Sequence, residues 1–308
     1  MSTTSGIQQW EVKEPYLNLH CGLGEGPYYE KATNSLRFVD IKNKRLHTVD
    51  LTKGPESVTT LQFDVPVTVT ADIEGVDPRE KILIGAKYGI AVLDRKTGKY
   101  EYIANFEATQ HKERLRSNDG AVDPHGRFWL GTMTDFGLGD VLPEGSLHLF
   151  AGGKATQNVR HPVSIPNSVS WSLDGKTMYF THSTARTLYS FDYSEADDAL
   201  TNERVFYVHD GPGEPDGHRI DAEGNLWTAV YGESCVLKVS PQGKLVGKIK
   251  LPTKNVTCVE FVGSELFITT AGMAEGEGTP EEVDLSGGLY RIDVGIKGTA
   301  PFEYRLGA

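Results

Sequence analysis

The chain has 308 residues, including 34 glycines, and its 31 basic and 42 acidic side chains give a formal net charge of −11. This acidic balance argues against a nucleic-acid-binding surface, which needs clustered lysine and arginine. The three cysteines form no Cys-x-x-Cys pair and predict no disulfide framework, and no apolar run is long enough to span a bilayer.

The N-terminal region comes first along the chain. Residues 1–9 lack the basic and apolar segments of a secretory signal. We therefore expect a cytoplasmic protein that binds neither nucleic acid nor membrane, with residues 1–8 flexible. Residues 9–19 precede the first full repeat and are interpreted as a spare outer strand.

A short phrase then recurs six times. In each copy a turn, usually Asp-x-x-Gly or a close variant, leads into a short apolar strand. The copies span residues 34–40, 77–85, 123–131, 174–181, 221–228 and 263–269. Their equivalent positions, Leu36, Ile82, Phe128, Met178, Leu226 and Leu266, are 46, 46, 50, 48 and 40 residues apart. A period near 40–50 residues with strand–turn–strand content predicts a β-propeller with one blade per repeat.

Each repeat contains further strands around this phrase. An alternating strand such as 46–50 or 289–293 follows it, a short apolar stretch such as 168–171 precedes it, and a more exposed strand such as 245–251 comes last. The prediction is an all-β fold, a single six-bladed β-propeller domain over residues 1–308 with four antiparallel strands per blade. The N-terminal strand would close the last blade and leave no free edge.

Four repeats carry a polar side chain ten or eleven residues before the equivalent apolar position: Glu25, Asn118, Asn167 and Asp216. This position lies at the start of each innermost strand, beside the channel, where grouped polar side chains are costly unless they are hydrogen-bonded or bind a cation. Oxygen donors without cysteine or clustered histidine suit a hard divalent ion. The pattern therefore favours one shared site over four independent turns.

Strand alternation adds two candidates. Arg116 precedes Asn118 by two residues and His218 follows Asp216 by two, so each is expected on the face of its neighbour. Arg116 could hold a carboxylate, a hydroxyl or a developing oxyanion, or form an ordinary salt bridge. His218 is either a packing residue or a substrate contact. Four other acids are interpreted as turn residues: Asp119, Asp123, Asp174 and Asp221.

From about Leu23 to Asp293 the chain resembles the SMP-30/gluconolactonase (regucalcin-like) family. The matching stretches include Gly24-Glu25-Gly26-Pro27, Arg116-Ser117-Asn118-Asp119-Gly120, Gly131-Thr132-Met133, Pro166-Asn167-Ser168 and Pro215-Asp216-Gly217. The resemblance implies a six-bladed propeller with one divalent metal in its channel and, in many members, hydrolysis of sugar lactones. It implies Glu25, Asn167 and Asp216 as metal ligands, and Asp216 also as general base. Arg116 and Asn118 would lie on the substrate side.

One departure from the family follows Gly131-Thr132-Met133. Many sugar-lactonase members carry a glutamate three residues later, where it contacts substrate hydroxyls. Here Phe136 holds that place, with Asp135 beside it. A less hydroxylated or more aromatic substrate becomes conceivable. The predicted substrate contacts are therefore Arg116, Asn118, Asp135, Phe136 and His218.

The resulting hypothesis is metal-assisted hydrolysis of a lactone such as an aldonolactone by a monomer or weak homo-oligomer. Ca²⁺ is the expected cation, and Zn²⁺, Mg²⁺ and Mn²⁺ stay open because they accept the same oxygen donors. Two alternatives remain: a broader esterase or phosphotriesterase-like hydrolase on the same metal site, and a non-catalytic calcium-binding propeller.

Overall fold

The computed structural model describes residues 6–106, 112–151, 157–194 and 200–306. The described strands form six sheets. Two N-terminal strands, β1 (Gln8–Glu11) and β2 (Leu17–Asn18), come first along the chain and join sheets formed by later strands. Blades one to three comprise β3 (Gly24–Glu30), β4 (Ser35–Asp40), β5 (Arg45–Asp50), β6 (Thr59–Gln62), β7 (Val67–Ala71), β8 (Lys81–Ala86), β9 (Gly89–Asp94), β10 (Tyr100–Asn105), β11 (Leu115–Val122), β12 (Phe128–Thr134), β13 (Gly145–Phe150) and β14 (Gln157–Val163).

Blades four to six comprise β15 (Pro166–Trp171), β16 (Thr177–His182), β17 (Thr187–Asp192), β18 (Thr201–Val208), β19 (Glu214–Ile220), β20 (Leu226–Tyr231), β21 (Cys235–Val239), β22 (Leu245–Lys250), β23 (Val256–Val262), β24 (Glu265–Thr270) and β25 (Gly288–Asp293). Single 3₁₀ turns occur at Pro55–Ser57, Lys112–Arg114 and Ser183–Ala185. The six sheets form the six-bladed β-propeller predicted from the repeat. Within the described ranges, no helix has the length and apolar composition of a transmembrane span.

The N-terminal residues complete two blades. β2 pairs antiparallel with β25, so an N-terminal strand closes the last blade as predicted. β1 instead pairs parallel with β22 and adds a fifth strand to blade five, where Trp10 packs on Trp227. The stretch 9–19, interpreted as one strand, is therefore two strands, separated by a segment with Pro15, which cannot donate a ladder hydrogen bond. Gln8, expected in a flexible tail, begins β1.

The core lies between neighbouring blades. The six apolar side chains at equivalent repeat positions are all fully buried. One cluster combines Leu83 of blade two with Phe128 and Leu130 of blade three, as expected when the apolar faces of adjacent sheets pack together. Asp123 and Asp221 sit in turns, as interpreted, but are also fully buried, and they accept hydrogen bonds from the indoles of Trp129 and Trp227.

Every innermost strand has a bulge near its start. The pairing register slips by one residue between Glu25 and Tyr28, Val67 and Val69, Ser117 and Gly120, Pro166 and Val169, Pro215 and His218, and Val256 and Cys258. A bulge re-aims the side chains around the extra residue. Simple alternation therefore does not extend across these points, and adjacent residues of one strand can both face the channel.

The acidic, glycine-rich segment 271–286 contains the single α-helix in the described ranges, α1 (Pro280–Asp284). Thr279 and Glu282 form a capping box at its start, which satisfies amide groups that the helix leaves free. Ser286 Oγ accepts a hydrogen bond from the backbone of the buried Met273. The segment is thus tied down at both ends, although the sequence suggested no helix.

Candidate active site

A cavity of about 240 Å³ opens at the end of the channel where the innermost strands begin. Glu25 comes from blade one, Arg116 and Asn118 from blade three, Asn167 from blade four and Asp216 from blade five. The fold thus brings to one cavity the residues that share a phase in the repeat. Phe136 also lines it, whereas Asp135 and His218 do not.

The innermost part of this wall is a buried group of carboxylates. Asn167 donates hydrogen bonds to Asp216 and, over 3.2 Å, to Ser183. Burial, and then the charges of Glu25 and Asp119, raise the pKa of Asp216 well above its ordinary value. Burial and Asp119 likewise raise the pKa of Glu25 to about 8. Each carboxylate makes ionisation of the others harder, so the group favours bound protons or a cation.

Arg116 is the cation of the cavity wall. Its guanidinium donates to Asn118 Oδ1 over 2.8 Å and to the Ser117 carbonyl over 2.7 Å, and burial lowers its pKa to about 10. Within the described part of the chain its Nε has no hydrogen-bond acceptor, and Asp135 Oδ1 stays 3.9 Å away. A buried donor without a partner is costly, and its place on the cavity wall suits a ligand oxygen.

Asn118 holds Arg116 in place. Its oxygen accepts from Arg116, and its nitrogen donates to the Pro166 carbonyl over 2.9 Å. The carboxamide therefore bridges blades three and four. Both of its ends are engaged, so in this structure Asn118 orients the guanidinium rather than offering a free group to a ligand.

Phe136 and Asp135 lie on the rim. The Phe136 ring stands 4.3 Å from Arg116 Cζ and 5.6 Å from Lys42 Nζ. Asp135 forms an ion pair with Lys87 over 2.7 Å and accepts from the Phe136 backbone over 2.8 Å. Asp135 therefore supports the rim from behind, while the phenyl ring faces the cavity.

His218 does not reach the cavity, contrary to the expectation that it shares the face of Asp216. It is fully buried, and its ring nitrogens contact Ser170 Oγ at 2.8 Å and Thr181 Oγ1 at 2.9 Å. Burial lowers its pKa to about 3, so the ring stays neutral and structural. The expectation fails because the bulge between Pro215 and His218 breaks the alternation on which it depended.

Asp119, interpreted from the sequence as a turn residue, belongs to the buried carboxylate group. One oxygen accepts from Gly120 N over 2.7 Å and the other from the Ser168 hydroxyl of the next blade. The Asp119 and Glu25 carboxylates and the Cys258 thiol lie within 4.8 Å of one another. The adjacent Asn118 and Asp119 were the sequence signal for this placement of Asp119, because a bulge can turn two successive side chains to one face.

The expected metal ligands have the chemistry that a divalent cation needs. Glu25, Asn167 and Asp216 supply two carboxylates and a carboxamide, all buried and all on one cavity. Of the carboxamide only the oxygen can ligate, and at present it accepts from Ser168 N over 3.0 Å. A cation would offset the repulsion that raises the pKa values of Glu25 and Asp216. The residues therefore fit a hard divalent ion, without selecting one.

Comparisons with known proteins find relatives that match nearly the whole chain. A family model described as SMP-30/Gluconolactonase/LRE-like region matches residues 23–272. Regucalcin from Pongo abelii is 35% identical over 296 residues, with 92% of this chain and 95% of the relative covered. A pentonolactonase from Haloferax volcanii is 34% identical over 302 residues, with 93% and 97% covered. A calcium-binding regucalcin from Agrobacterium tumefaciens has a TM-score of 0.86 and 27% identity, with 98% and 100% covered.

Proposed function

Because the chain belongs to the SMP-30/gluconolactonase/LRE-like family, we propose that it hydrolyses lactones with the help of one divalent cation. The observation that carries the proposal is the meeting of Glu25, Asn167 and Asp216, from three blades, in one cavity with Arg116. A docking module has no need of a buried carboxylate group beside an incompletely hydrogen-bonded guanidinium.

Glu25, Asn167 and Asp216 would hold the cation, and Ca²⁺ is our first choice because a related regucalcin structure is described as calcium-binding. When bound, the ion supplies Lewis-acid polarisation of the lactone carbonyl and lowers the pKa of bound water. Because burial and the neighbouring carboxylates raise the pKa of Asp216, a cation held beside Glu25, Asp119 and Asp216 would favour its ionised form.

Ionised Asp216 acts as the general base. One of its oxygens accepts from Asn167, which fixes the carboxylate on the cavity wall. The other can take a proton from the attacking water and return it to the ring oxygen that leaves as an alcohol. Arg116 donates from Nε to the substrate, orienting the ester and stabilising negative charge on its oxygen. Asn118 holds the guanidinium for that contact.

A sugar lactone is the substrate that the relatives suggest, since one of them is a pentonolactonase. A broader esterase or phosphotriesterase-like activity is the second candidate. The phenyl ring of Phe136 at the rim supports it, because this ring cannot accept hydrogen bonds from the hydroxyls of a sugar lactone. The three cysteines are buried and unpaired, which supports a reducing, cytoplasmic setting. A small molecule is the expected partner.

The test is lactone opening followed with a pH indicator. The protein is stripped with a chelator and assayed alone and with Ca²⁺, Mg²⁺, Mn²⁺ or Zn²⁺, with an aryl ester and a phosphotriester beside five- and six-membered lactones. We expect turnover to vanish on chelation and to return with at least one cation. Failure to open any lactone or ester with any of these cations would leave only the non-catalytic binding function.

A further inference from the structure

The part of the cavity wall that holds no catalytic or metal-binding group is mostly apolar. Leu23, Met133, Phe136 and Ile165 supply its apolar side chains, and Lys42, Ser183, Glu214 and the hydroxyl of Tyr231 supply its polar groups. Ser183 already accepts a hydrogen bond from Asn167. A lactone with several hydroxyls needs a partner for each of them, because a buried hydroxyl without one loses affinity. The cavity exposes more apolar than polar surface to such a ligand.

Phe136 is the most exposed apolar group on that wall. Its side chain is 39% exposed, and the ring stands over the Arg116 guanidinium with Lys42 on the same ring. The ring covers one side of Arg116 and offers no hydrogen bond to a sugar hydroxyl. Aromatic groups pack favourably on such a ring, because the contact removes apolar surface of both groups from water.

The ring is held in this position by its own segment, residues 135–144. The Asp135–Lys87 ion pair fixes one end, and the Arg114–Glu144 pair fixes the other over 3.0 Å. Arg114 also donates to the Leu138 carbonyl over 2.6 Å. Because these contacts involve backbone and charged groups, the segment forms a preorganised wall rather than a loose cover.

We propose that the lactone selected by this site carries an apolar, preferably aromatic, substituent that packs on Phe136. The proposal rests on the proposed function and refines its substrate class. Phe136 is then the residue that determines specificity, and aldonolactones, although their ring is opened by the same groups, are poor substrates. One well-placed apolar group in a pocket changes kcat/KM by roughly 10- to 200-fold.

Paired substrates with the same ring size test the proposal. The values of kcat/KM are compared for γ-phenyl-γ-butyrolactone and ribono-γ-lactone, using the wild-type protein, Phe136→Glu and Phe136→Leu. We expect wild type to favour the phenyl lactone by about tenfold or more. Phe136→Glu supplies a hydroxyl acceptor and should reverse the preference, while Phe136→Leu should keep part of it. If Phe136→Glu changes kcat/KM by the same factor for both substrates, the proposal is overturned.

Leu138→Glu is the matched control. Leu138 lies two residues along the same segment, is 40% exposed, and does not line the cavity. The same change of charge at Leu138 should alter the ratio of kcat/KM for the two lactones by less than about twofold, as ordinary surface substitutions do. If Leu138→Glu shifts the ratio as much as Phe136→Glu, the effect comes from charge on the segment and the role of the ring is refuted.

A binding measurement separates this proposal from the proposed function. γ-Phenyl-γ-butyrolactam, whose amide resists hydrolysis, is titrated by calorimetry into wild type and Phe136→Glu with the cation that supports turnover, or with Ca²⁺ if none does. Binding that weakens about tenfold in Phe136→Glu supports the apolar ligand even if no lactone is opened. Lactone turnover without Phe136-dependent lactam binding refutes the proposal and leaves the lactonase function standing.

Discussion

The two ends of the central channel are built from the same six strands and carry different side chains. At their beginnings the strands present Glu25, Asn118, Asn167 and Asp216 to an open cavity. At their far ends they line a second cavity of about 140 Å³ with Tyr28, Val122, Trp171 and Ile220 among its walls. The first end thus carries a group of carboxylates, whereas the charged side chains of the second, Arg219 and Glu260, are paired with each other.

The C-terminal segment closes the second end. Thr299 N donates to the Ile220 carbonyl of blade five over 3.0 Å, Tyr304 N to the Asp72 carbonyl of blade two over 2.8 Å, and Arg305 N to the Gly126 carbonyl of blade three over 2.9 Å. Tyr304 is fully buried, and residues 299–302 form part of the cavity wall. The segment therefore crosses the channel and ties distant blades together.

Charge is also balanced differently at the two ends. Toward the far end, the partly buried Arg219 and the buried Glu260 form an ion pair over 2.9 Å that is also part of the second cavity's wall. At the site, Glu25, Asp119 and Asp216 form no ion pair among the described residues. Buried charges are normally paired, so carboxylates without an ion-pair partner at this end support the cation site that we propose there.

The largest expected effect is on turnover at the end that carries the carboxylates. Asp216→Asn keeps the shape but removes the base, so we expect kcat/KM for a lactone to fall by about 10²- to 10⁴-fold. Leu173→Ala, at the exposed rim of the far cavity, is the control and should leave kcat/KM unchanged. Full activity of Asp216→Asn, with its fold checked by circular dichroism, would refute the role of Asp216.

The second effect is on stability and belongs to the far end. Arg219→Met leaves Glu260 buried without its partner, and such a loss costs about 3–5 kcal/mol of the free energy of unfolding, measured with urea. The double variant Arg219→Met/Glu260→Gln should recover much of this loss, because no charge is then stranded. If the double variant is no more stable than the single one, the pair is not the source of the loss.

A smaller loss is expected when the C-terminal segment is loosened. Tyr304→Ala removes a fully buried ring and should cost about 3 kcal/mol of unfolding free energy by cavity formation. Since the site lies at the other end, kcat/KM at a temperature where the variant is folded should match wild type. A large fall in kcat/KM without loss of folded protein would show that the two ends are coupled.

The smallest effect, counted per pH unit, concerns the pH dependence of stability in the metal-free protein. The pKa of Glu25 is raised to about 8 in the folded state by burial and Asp119. The folded protein therefore holds more protons than the unfolded chain between about pH 4.5 and 8, and its stability must fall as pH rises through that window, by about 1 kcal/mol per pH unit for one such group. Thermal unfolding with chelator present measures it.

Added Ca²⁺ should flatten that pH dependence and raise the melting temperature more at pH 8 than at pH 6, because the ion competes with protons for the same carboxylates. The Glu25→Gln variant, which cannot ionise at that position, should lose the part of the dependence that Glu25 contributes, while Asp216 and Asp119, whose pKa values burial also raises, keep theirs. Stability that rises between pH 6 and 8 in the metal-free protein would contradict the raised pKa.

The sequence alone determined the fold and the position of the site. Six phrases at a near-constant spacing require one repeated supersecondary unit, and a repeat that cannot bury its face alone must pack in a ring or a stack. Residues at equivalent positions of the repeat lie at the same height along the channel axis. That relation is enough to predict that Glu25, Asn118, Asn167 and Asp216 lie together, as the structure shows.

The tertiary structure decided which neighbours join them. Alternation along the strand would turn Asp119 away from its neighbour Asn118 and turn His218 to the face of Asp216. In the structure Asp119 instead joins Glu25 and Asp216, and His218 is enclosed between Ser170 and Thr181. The single-residue bulges decide this, and a bulge depends on hydrogen bonds between strands that a local pattern does not record. The path of the C-terminal segment across the far end likewise depends on contacts with three distant blades, which no spacing along the chain encodes.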